Sequence, residues 1–469
     1  MMDISEKKFH RLFSFSMNKD LKLPLGALSL SKDFTNIDRG DLYPLVSKSA
    51  DLVEAVEDNR YYVKKGYSER LFGQFFHYAT YEIDFNGSAG FSFNIKSLRA
   101  TLICDKEKIT FTCGDIKEAY PLSEPLEKLI VSLRPGAFDV YSHKNNGAYF
   151  IKSFECEAFK VSDSYEEFKE GYVTFILNEG SCITGGSFYI DSGVNLADIR
   201  PLTYEDGSAI LEGGKIFLTA SIRIAKESFQ GVFSWVPGTK DFELIGSIFY
   251  DAGDSRWCND VAASIVYNRF TDKWNLWVCS FSHGHILGYS EFDGDPRYGI
   301  NVIDITLVNK KGEDESISTF SGAFGDEDPS FIYDKENKRW LMAVCRLDKE
   351  TKKYRYRFYE AETPFTGHKF IGEGYEGEET GGSFVNIEGE IHFICGNSFK
   401  EKSNYRIYNK DGMKNAKFDF PDGGFRGWGT VIPVKKATRT EYYWLTFDRF
   451  LGSEYNWSYG NVYCFKLIH

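Results

Sequence analysis

Five short stretches in the second half of the chain open with residues that could carry out acid–base chemistry. Four of the five begin with a carboxylate, and the fourth residue is always Pro, Ala or Gly; the openings are DIRPL at Asp198, DVAAS at Asp260, DEDPS at Asp326, ETGGS at Glu379 and RGWGT at Arg426. Carboxyl groups crowded into one poorly solvated cavity repel each other, which raises the pKa of at least one. A carboxylic acid beside a carboxylate is the pair that hydrolysis of a glycosidic bond requires.

The fold must bring these openings together if they act as one site. Each opening is followed by a turn and an aromatic-rich strand pattern, as in FIYDKENKRWLMAV, and each unit is long enough for four short strands. Five such units fill residues 189–469 and predict a five-bladed β-propeller. Because the innermost strand of every blade begins at the same end of the channel, one funnel is expected to be lined by Asp198, Asp260, Asp326, Asp328 and Glu379.

The first half of the chain has a different pattern, with alternating apolar and polar residues in short runs such as HYATYEIDFN and KITFTCG. Turn residues separate the runs at Asn86-Gly87, Pro135-Gly136 and Asn146-Gly147. This pattern predicts an antiparallel β-sandwich over residues 1–188, with an irregular N-terminal segment. The expected fold class is therefore all-β, with two domains.

The motifs in the second half resemble those of glycoside hydrolase family 43, a family of furanosidase-type five-bladed propellers related to the invertase and fructan hydrolase families. The resemblance covers roughly residues 190–469. It implies that Asp198 in ADIRP is the catalytic base, that Asp328 in EDPSFIYD orients the acid and tunes its pKa, and that Glu379 in EETGGSFV is the general acid. It also implies an arabinose-, xylose- or fructose-type sugar as substrate.

The chain departs from the family pattern at two of these motifs. DIRP stands where the family has DP, and TGG follows Glu379 where the family has GP. Glu378 is the alternative acid. Asp260 and Asp326 are alternatives for the base or the modulator.

Aromatic and basic residues near the openings are candidates for sugar binding, because aromatic faces stack on sugar C–H surfaces and guanidinium groups bind hydroxyls. Trp257 and Trp428 flank two openings, whereas the mid-strand tryptophans are expected in the core between blades: Trp274, Trp277, Trp340 and Trp444. Arg200 and Arg426 could bind substrate or equally hold the acidic ring together.

His283 and His285 in SHGHILGY share a face if this segment is a strand. They are expected to hydrogen-bond, and could contact substrate, rather than to bind a metal, because no further His or Cys stands at ligand spacing. No cofactor is predicted. A calcium ion in the channel is conceivable from the carboxylates, but no calcium-loop motif supports it.

Composition narrows the classes of partner. The net charge of −12 provides no basic surface for nucleic acid or anionic membranes. The opening residues lack the pattern of a secretory signal, so a cytoplasmic location is expected. The nine cysteines are scattered without a CxxC pair, and reduced, buried thiols are expected.

The expected function is hydrolysis of a glycosidic bond in an oligo- or polysaccharide by carboxylate catalysis. A carbohydrate-binding propeller without catalysis fits the same pattern, and so does a propeller phosphorylase or lyase acting on the same substrate class. The sequence leaves the linkage, internal or terminal cleavage, the stereochemical course and the oligomeric state open.

Overall fold

The computed structural model describes most of the chain, namely residues 4–17, 19–28, 48–96, 98–144, 147–160, 169–224, 227–308, 325–348, 350–375, 379–396, 405–418, 425–448 and 461–468. Most of the described residues lie in β-strands, so the all-β class is confirmed. Short 3₁₀ helices lie at Ile4–Glu6 and Glu157–Phe159. In the described part of the chain, no helix is both long enough and apolar enough to cross a bilayer.

The chain forms two compact units, one of Lys22–Asp191 (the N-terminal unit) and one of Met1–Leu21 with Ser192–His469 (the C-terminal unit). The predicted boundary assigned residues 1–21 to the N-terminal domain, and the structure differs. Strand β1 (Lys8–Phe15) pairs antiparallel with the last strand of the chain, because Phe9 packs in the core there, 5.1 Å from the Trp444 ring.

The N-terminal unit contains fourteen described strands. They are β2 (Lys22–Ala27), β3 (Val53–Glu57), β4 (Arg60–Lys65), β5 (Tyr67–Gln74), β6 (Ala79–Asn86), β7 (Ala89–Ile95), β8 (Leu98–Cys104), β9 (Lys108–Cys113), β10 (Ile116–Pro121), β11 (Lys128–Arg134), β12 (Ala137–Lys144), β13 (Gly147–Glu155), β14 (Tyr172–Asn178) and β15 (Ser181–Asp191).

These strands form two sheets. The six-stranded sheet has the order β10-β9-β8-β7-β14-β5; the other has the order β13-β12-β11-β6-β15-β4-β3, with β2 also paired to β15. Aromatic rings join the sheets, as where Phe93 lies 5.0 Å from Phe138. The predicted turns at Gly87 and Gly136 have φ of +98° and +73°, which glycine adopts without strain.

The C-terminal unit contains the remaining described strands. They are β16 (Asn195–Pro201), β17 (Thr203–Tyr204), β18 (Leu211–Glu212), β19 (Lys215–Arg223), β20 (Ser228–Trp235), β21 (Phe242–Asp251), β22 (Val261–Asn268), β23 (Lys273–Ser280), β24 (Ile286–Phe292), β25 (Gly299–Asp304), β26 (Thr306–Leu307), β27 (Asp326–Asp334), β28 (Arg339–Leu347), β29 (Tyr354–Ala361), β30 (Lys369–Glu373), β31 (Thr380–Ile387), β32 (Glu390–Gly396), β33 (Tyr405–Asn409), β34 (Gly412–Asn415), β35 (Lys417–Phe418), β36 (Phe425–Lys435), β37 (Thr440–Asp448) and β38 (Val462–Leu467).

Five sheets make up this unit. In chain order their strand orders are β16-β19-β20-β21-β25 with β18 on β19, β17-β22-β23-β24-β26, β27-β28-β29-β30, β31-β32-β33-β34, and β35-β1-β38-β37-β36. We call β16, β22, β27, β31 and β36 the leading strands. Each contacts the leading strand of the next sheet, and β36 contacts β16, so the contacts form a closed ring.

Hydrophobic clusters fill the space between successive sheets. The predicted core tryptophans lie in them: Trp274 between the first and second sheets, Trp277 and Trp340 between the second and third, and Trp444 between the fourth and fifth. All four are buried, so this prediction is confirmed.

Candidate active site

Each leading strand carries a β-bulge near its start. In four sheets the residue at the bulge has a left-handed backbone conformation: Asp198 (φ +50°), Ala262 (+59°), Asp328 (+49°) and Gly381 (+61°). In the fifth sheet the irregularity lies between Arg426 and Thr430. A bulge adds one residue to a strand and redirects the side chains around it. The same device is therefore repeated at one end of the ring of leading strands.

The bulges correct the alignment of the first repeat. Arg200 pairs with Thr219 directly after its bulge, as Ser330 pairs with Ala343 after its own. Asp198 is thus equivalent to Asp328 and not to Asp326. The first opening begins two residues earlier than predicted, at Leu196, because Asp198 resembles the first residue of the other openings in type but matches their third residue in strand register.

Asp198 is buried and hydrogen-bonded within its own sheet. Ser221 Oγ donates to its Oδ2 at 2.6 Å, and Arg223 Nη2 lies 3.8 Å from the same oxygen. Burial raises the pKa of Asp198, and the negative charge of Asp328 raises it further, against the opposing charge of Arg223. The two bulge carboxylates therefore face each other closely enough to interact.

Asp328 is held by the neighbouring fourth sheet. The Thr380 hydroxyl and the Gly381 backbone N–H both donate to its Oδ2, each at 2.9 Å. One oxygen of Asp328 is thereby fixed in place.

Glu327 lies beside both bulge carboxylates and was not among the predicted site residues. His285 Nε2 hydrogen-bonds its Oε2 at 3.1 Å, and 12% of its side chain is exposed. Burial raises the pKa of Glu327 to about 7; the charges of Asp328 and Asp198 act in the same direction, whereas His285 opposes them. Strict alternation would place Glu327 on the face opposite to Asp328, but the bulge that follows it breaks the alternation. The one sequence feature that could have identified Glu327 is the run of three consecutive acidic residues in DEDP.

Glu379 has a different environment. It is 0% exposed, Arg406 Nη1 donates to its Oε1 at 2.8 Å, and the Tyr408 hydroxyl donates to the same oxygen. Both partners lie on β33, the third strand of its own sheet. Its Oε2 is buried and has no hydrogen-bond partner among the described residues. The alternative acid, Glu378, lies outside the described residues.

The other two acids at the first position of an opening are also held within their own sheets. Ser280 Oγ and the Ser282 N–H donate to Asp260 at 2.7 and 3.0 Å. Arg346 Nε donates to Asp326 at 2.6 Å. The group in which one carboxylate raises the pKa of another is therefore smaller than the predicted ring: it contains Asp198, Glu327 and Asp328, and we call it the carboxylate cluster.

His283 and His285 do not share a strand face, because residues 281–285 form a turn and His285 has φ +62°. His283 Nε2 lies 3.1 Å from Asp254 Oδ2, whereas His285 contacts Glu327. The expectation that the two histidines hydrogen-bond is confirmed, but they do so at different places. Trp257 is half-buried and stacks on Phe249 at 5.7 Å.

Arg200 reaches from the first sheet to the third. Its Nη1 donates to the Pro329 carbonyl at 2.6 Å, and its buried Nη2 has no hydrogen-bond partner among the described residues. Arg426 and Trp428 lie in β36, but their side chains fall outside the described part of the structure.

Metal-ligand types cluster at two places among the described residues. One group contains Asp254, Cys258 and His283, and the other contains Glu327, Asp328 and Cys345. Calcium prefers six to eight oxygen ligands, and each group includes a thiol. Burial holds the pKa of the Cys345 thiol well above its ordinary value, so the residues of the second group do not fit a calcium ion.

Comparison with known proteins finds similarity only among solved structures. No protein-family model and no curated protein matches the chain. Similar structures include a thermostable family-43 glycoside hydrolase (10% identity, TM-score 0.40, 58% of this chain and 90% of that chain), a GH62 hydrolase in complex with xylotriose (14%, 0.39, 58% and 91%) and an α-L-arabinofuranosidase from Lactobacillus brevis (13%, 0.39, 57% and 89%). These values are too low to assign a family or an activity to the chain.

Proposed function

We propose that the chain is a glycoside hydrolase whose acid and base lie in the carboxylate cluster. In this proposal the C-terminal unit is a five-bladed β-propeller and the N-terminal unit is a β-sandwich. The closed ring of leading strands supports the propeller. The two facing antiparallel sheets, joined by aromatic pairs such as Phe93–Phe138, support the sandwich.

The observation that carries the proposal is the pair Glu327 and Asp198. A carboxyl group with a pKa of about 7 is half protonated at neutral pH, so Glu327 can donate a proton to a leaving oxygen. Asp198, when ionised, accepts a proton from water or attacks the sugar. Arg223, 3.8 Å away, favours the ionised form of Asp198. Two carboxyl groups with separated roles are what glycosidic hydrolysis needs.

Asp328 is assigned an electrostatic role: it acts on Asp198 and Glu327 through its charge and does not itself transfer a proton. Its Oδ2 is fixed by Thr380 and Gly381, and its charge raises the pKa of Asp198 and of Glu327. This matches the modulating role that the family resemblance implies for Asp328.

The proposal moves the general acid from Glu379 to Glu327. An acid must come within hydrogen-bonding distance of the bond that it protonates. Glu379 is fully buried and ion-paired to Arg406, whereas Glu327 is partly exposed. Glu379 is instead assigned to the structure of the fourth sheet.

A neutral oligosaccharide is the proposed substrate. Three carboxylates close together repel an anionic sugar, and the chain as a whole carries a net charge of −12. The half-buried Trp257 offers an aromatic face on which a sugar could stack.

Leaving-group dependence tests the assignment of the acid. The purified chain is assayed on arabinosides, xylosides, galactosides and fructosides that carry either 4-methylumbelliferone or 2,4-dinitrophenol. Glu327→Gln is expected to lose roughly 10²–10⁴-fold on the poorer leaving group and much less on dinitrophenol, which needs no proton. Asp198→Asn is expected to lose activity equally on both. Glu336→Gln, in the exposed turn between β27 and β28, is the matched control.

The alternatives give different results in the same assays. Full activity of Glu327→Gln together with loss in Glu379→Gln would return the acid to Glu379. Tight sugar binding without turnover by the unmodified chain would favour a carbohydrate-binding protein. Turnover that requires phosphate would indicate a phosphorylase, and an unsaturated product would indicate a lyase.

A further inference from the structure

Two cysteines of the N-terminal unit meet although they are far apart in sequence. The sulfur of Cys156 lies 2.6 Å from the sulfur of Cys113, and the two residues are 43 positions apart in the sequence. Atoms without a bond are most stable at about 3.5–4.0 Å, and a disulfide bond has a length of about 2.0 Å. The two sulfur atoms are therefore closer than ordinary packing would bring them.

The backbone around the two cysteines holds them in this arrangement. Cys113 is the last residue of β9 and pairs with Ala100. Cys156 directly follows β13, and its N–H donates to the Gly136 carbonyl at 2.7 Å. Neither cysteine lies in a segment that could move away without breaking sheet or turn hydrogen bonds.

The contact between the two cysteines lies next to an aromatic pair at the interface between the two sheets. The members of this pair are two residues before each cysteine. Phe111 and Phe154 stack with ring centroids 5.2 Å apart. Residues two apart on a strand share a face, so Cys113 extends the face of Phe111 towards the other sheet. Strand β9 belongs to the six-stranded sheet and β13 to the other, so a bond here would join the two sheets.

We propose that Cys113 and Cys156 form a structural disulfide when the chain folds in the presence of a small-molecule disulfide such as oxidised glutathione. This inference does not depend on the proposed activity, which lies in the other unit. It changes the expectation for this pair, which the sequence pattern treated like the other scattered thiols.

The exchange balances in two steps. One cysteine thiolate attacks a sulfur of oxidised glutathione and releases one glutathione thiolate; the second cysteine thiolate then attacks the mixed disulfide and releases the other. The two cysteines are oxidised, glutathione disulfide is reduced to two thiols, and the two protons pass from the cysteines to the released glutathione.

Burial determines when this exchange occurs. The two residues are 6% and 1% exposed, and burial raises the pKa of the Cys113 thiol to about 12. Thiolates are the reacting species, so exchange is slow in the folded state and takes place while the chain is folding. Once formed, the bond is equally protected from reduction.

Peptide mapping tests the proposal on the full chain. The reduced, denatured protein is refolded with reduced and oxidised glutathione, free thiols are alkylated, and the digest is analysed by mass spectrometry. The expected product is one cross-linked peptide pair, Cys113 with Cys156, with the other cysteines alkylated. Full alkylation of both residues, or random pairing among the nine cysteines, would overturn the proposal.

Thermal unfolding provides the second readout. Closing a loop of this length is expected to raise the Tm of the N-terminal unit by about 10 °C in oxidised over reduced protein. The Cys113→Ser/Cys156→Ser variant should lose this difference, and Cys182→Ser, another buried cysteine of the same unit, should keep it. An equal Tm in oxidised and reduced protein would also count against the bond, and the mapping on unmodified chain does not depend on either variant folding.

Discussion

Replacing Glu327 with Gln is expected to stabilise the C-terminal unit at pH 8 while removing the proposed acid. The pKa of this carboxyl group is about 7 in the folded chain and 4.5 as an ordinary glutamate. Below pH 4.5 the group is protonated in both the folded and the unfolded state. Between these values only the folded state holds the proton, so the free energy of unfolding falls as the pH rises, and the loss is complete above pH 7.

The size of this loss follows from the pKa difference. Each pKa unit corresponds to about 1.4 kcal/mol, so the folded state loses about 3 kcal/mol across this range. A glutamine stays neutral at every pH, and its side-chain oxygen can still accept the hydrogen bond from His285. The stability difference between the variant and the unmodified chain is therefore expected to grow from near zero at pH 4 to about 3 kcal/mol at pH 8.

Tryptophan fluorescence during urea denaturation measures this stability difference in the C-terminal unit, which contains Glu327. All eight tryptophans lie between residues 192 and 469, so the signal reports on the C-terminal unit alone. Comparing two variants at each pH cancels the titration of other groups to first order. Glu336→Gln, which is exposed, is expected to follow the unmodified chain. A difference that stays constant from pH 4 to pH 8 would refute the reasoning.

Three further perturbations test the surroundings of the cluster. Asp328→Asn removes a charge that raises the pKa of Glu327, so the basic limb of the pH profile of kcat/KM is expected to move to lower pH; an unchanged or higher limb would contradict this. Arg406→Met leaves the carboxylate of Glu379 buried without its cationic partner and is expected to cost about 3–5 kcal/mol in urea denaturation, which a loss below 1 kcal/mol would contradict. Gly374→Ala would place a methyl group against Oε2 of Glu379, so a lower Tm is expected, and an unchanged Tm would show that the loop adapts.

The sequence predicts the strands well because their patterns are local. Alternation in the first half and the aromatic-rich runs in the second correspond to strands of the structure, as at β9 (Lys108–Cys113) and β28 (Arg339–Leu347). The position of β1 could not be predicted in this way. Its partner β38 lies at the other end of the chain, and the eight residues Lys8–Phe15 carry no signal for so distant a pairing.

The candidate site was predicted in part. Asp198 and Asp328 were identified from their motifs, and the structure brings them together. Glu327 was missed because side-chain direction in a strand is normally read from alternation, and the left-handed residue at Asp328 breaks that rule. The hydrogen bond that holds Asp260 within its own sheet could not be predicted either, because its donor, Ser280, is the last residue of the neighbouring strand and lies 20 positions away in the sequence.

The conformation of the bulge residues adds an argument for function. The equivalent position accepts Gly381 in the fourth sheet and Ala262 in the second, so the fold does not require a carboxylate there. An aspartate at this position has a left-handed backbone that favours glycine, and Asp198 and Asp328 are also acidic residues that are only 5% exposed. Both features oppose folding, and Glu327 adds a third acid, partly exposed and with a pKa raised mainly by burial, beside them. A cluster that destabilises the unit in three places is better explained by the chemistry it makes possible than by any contribution to the fold.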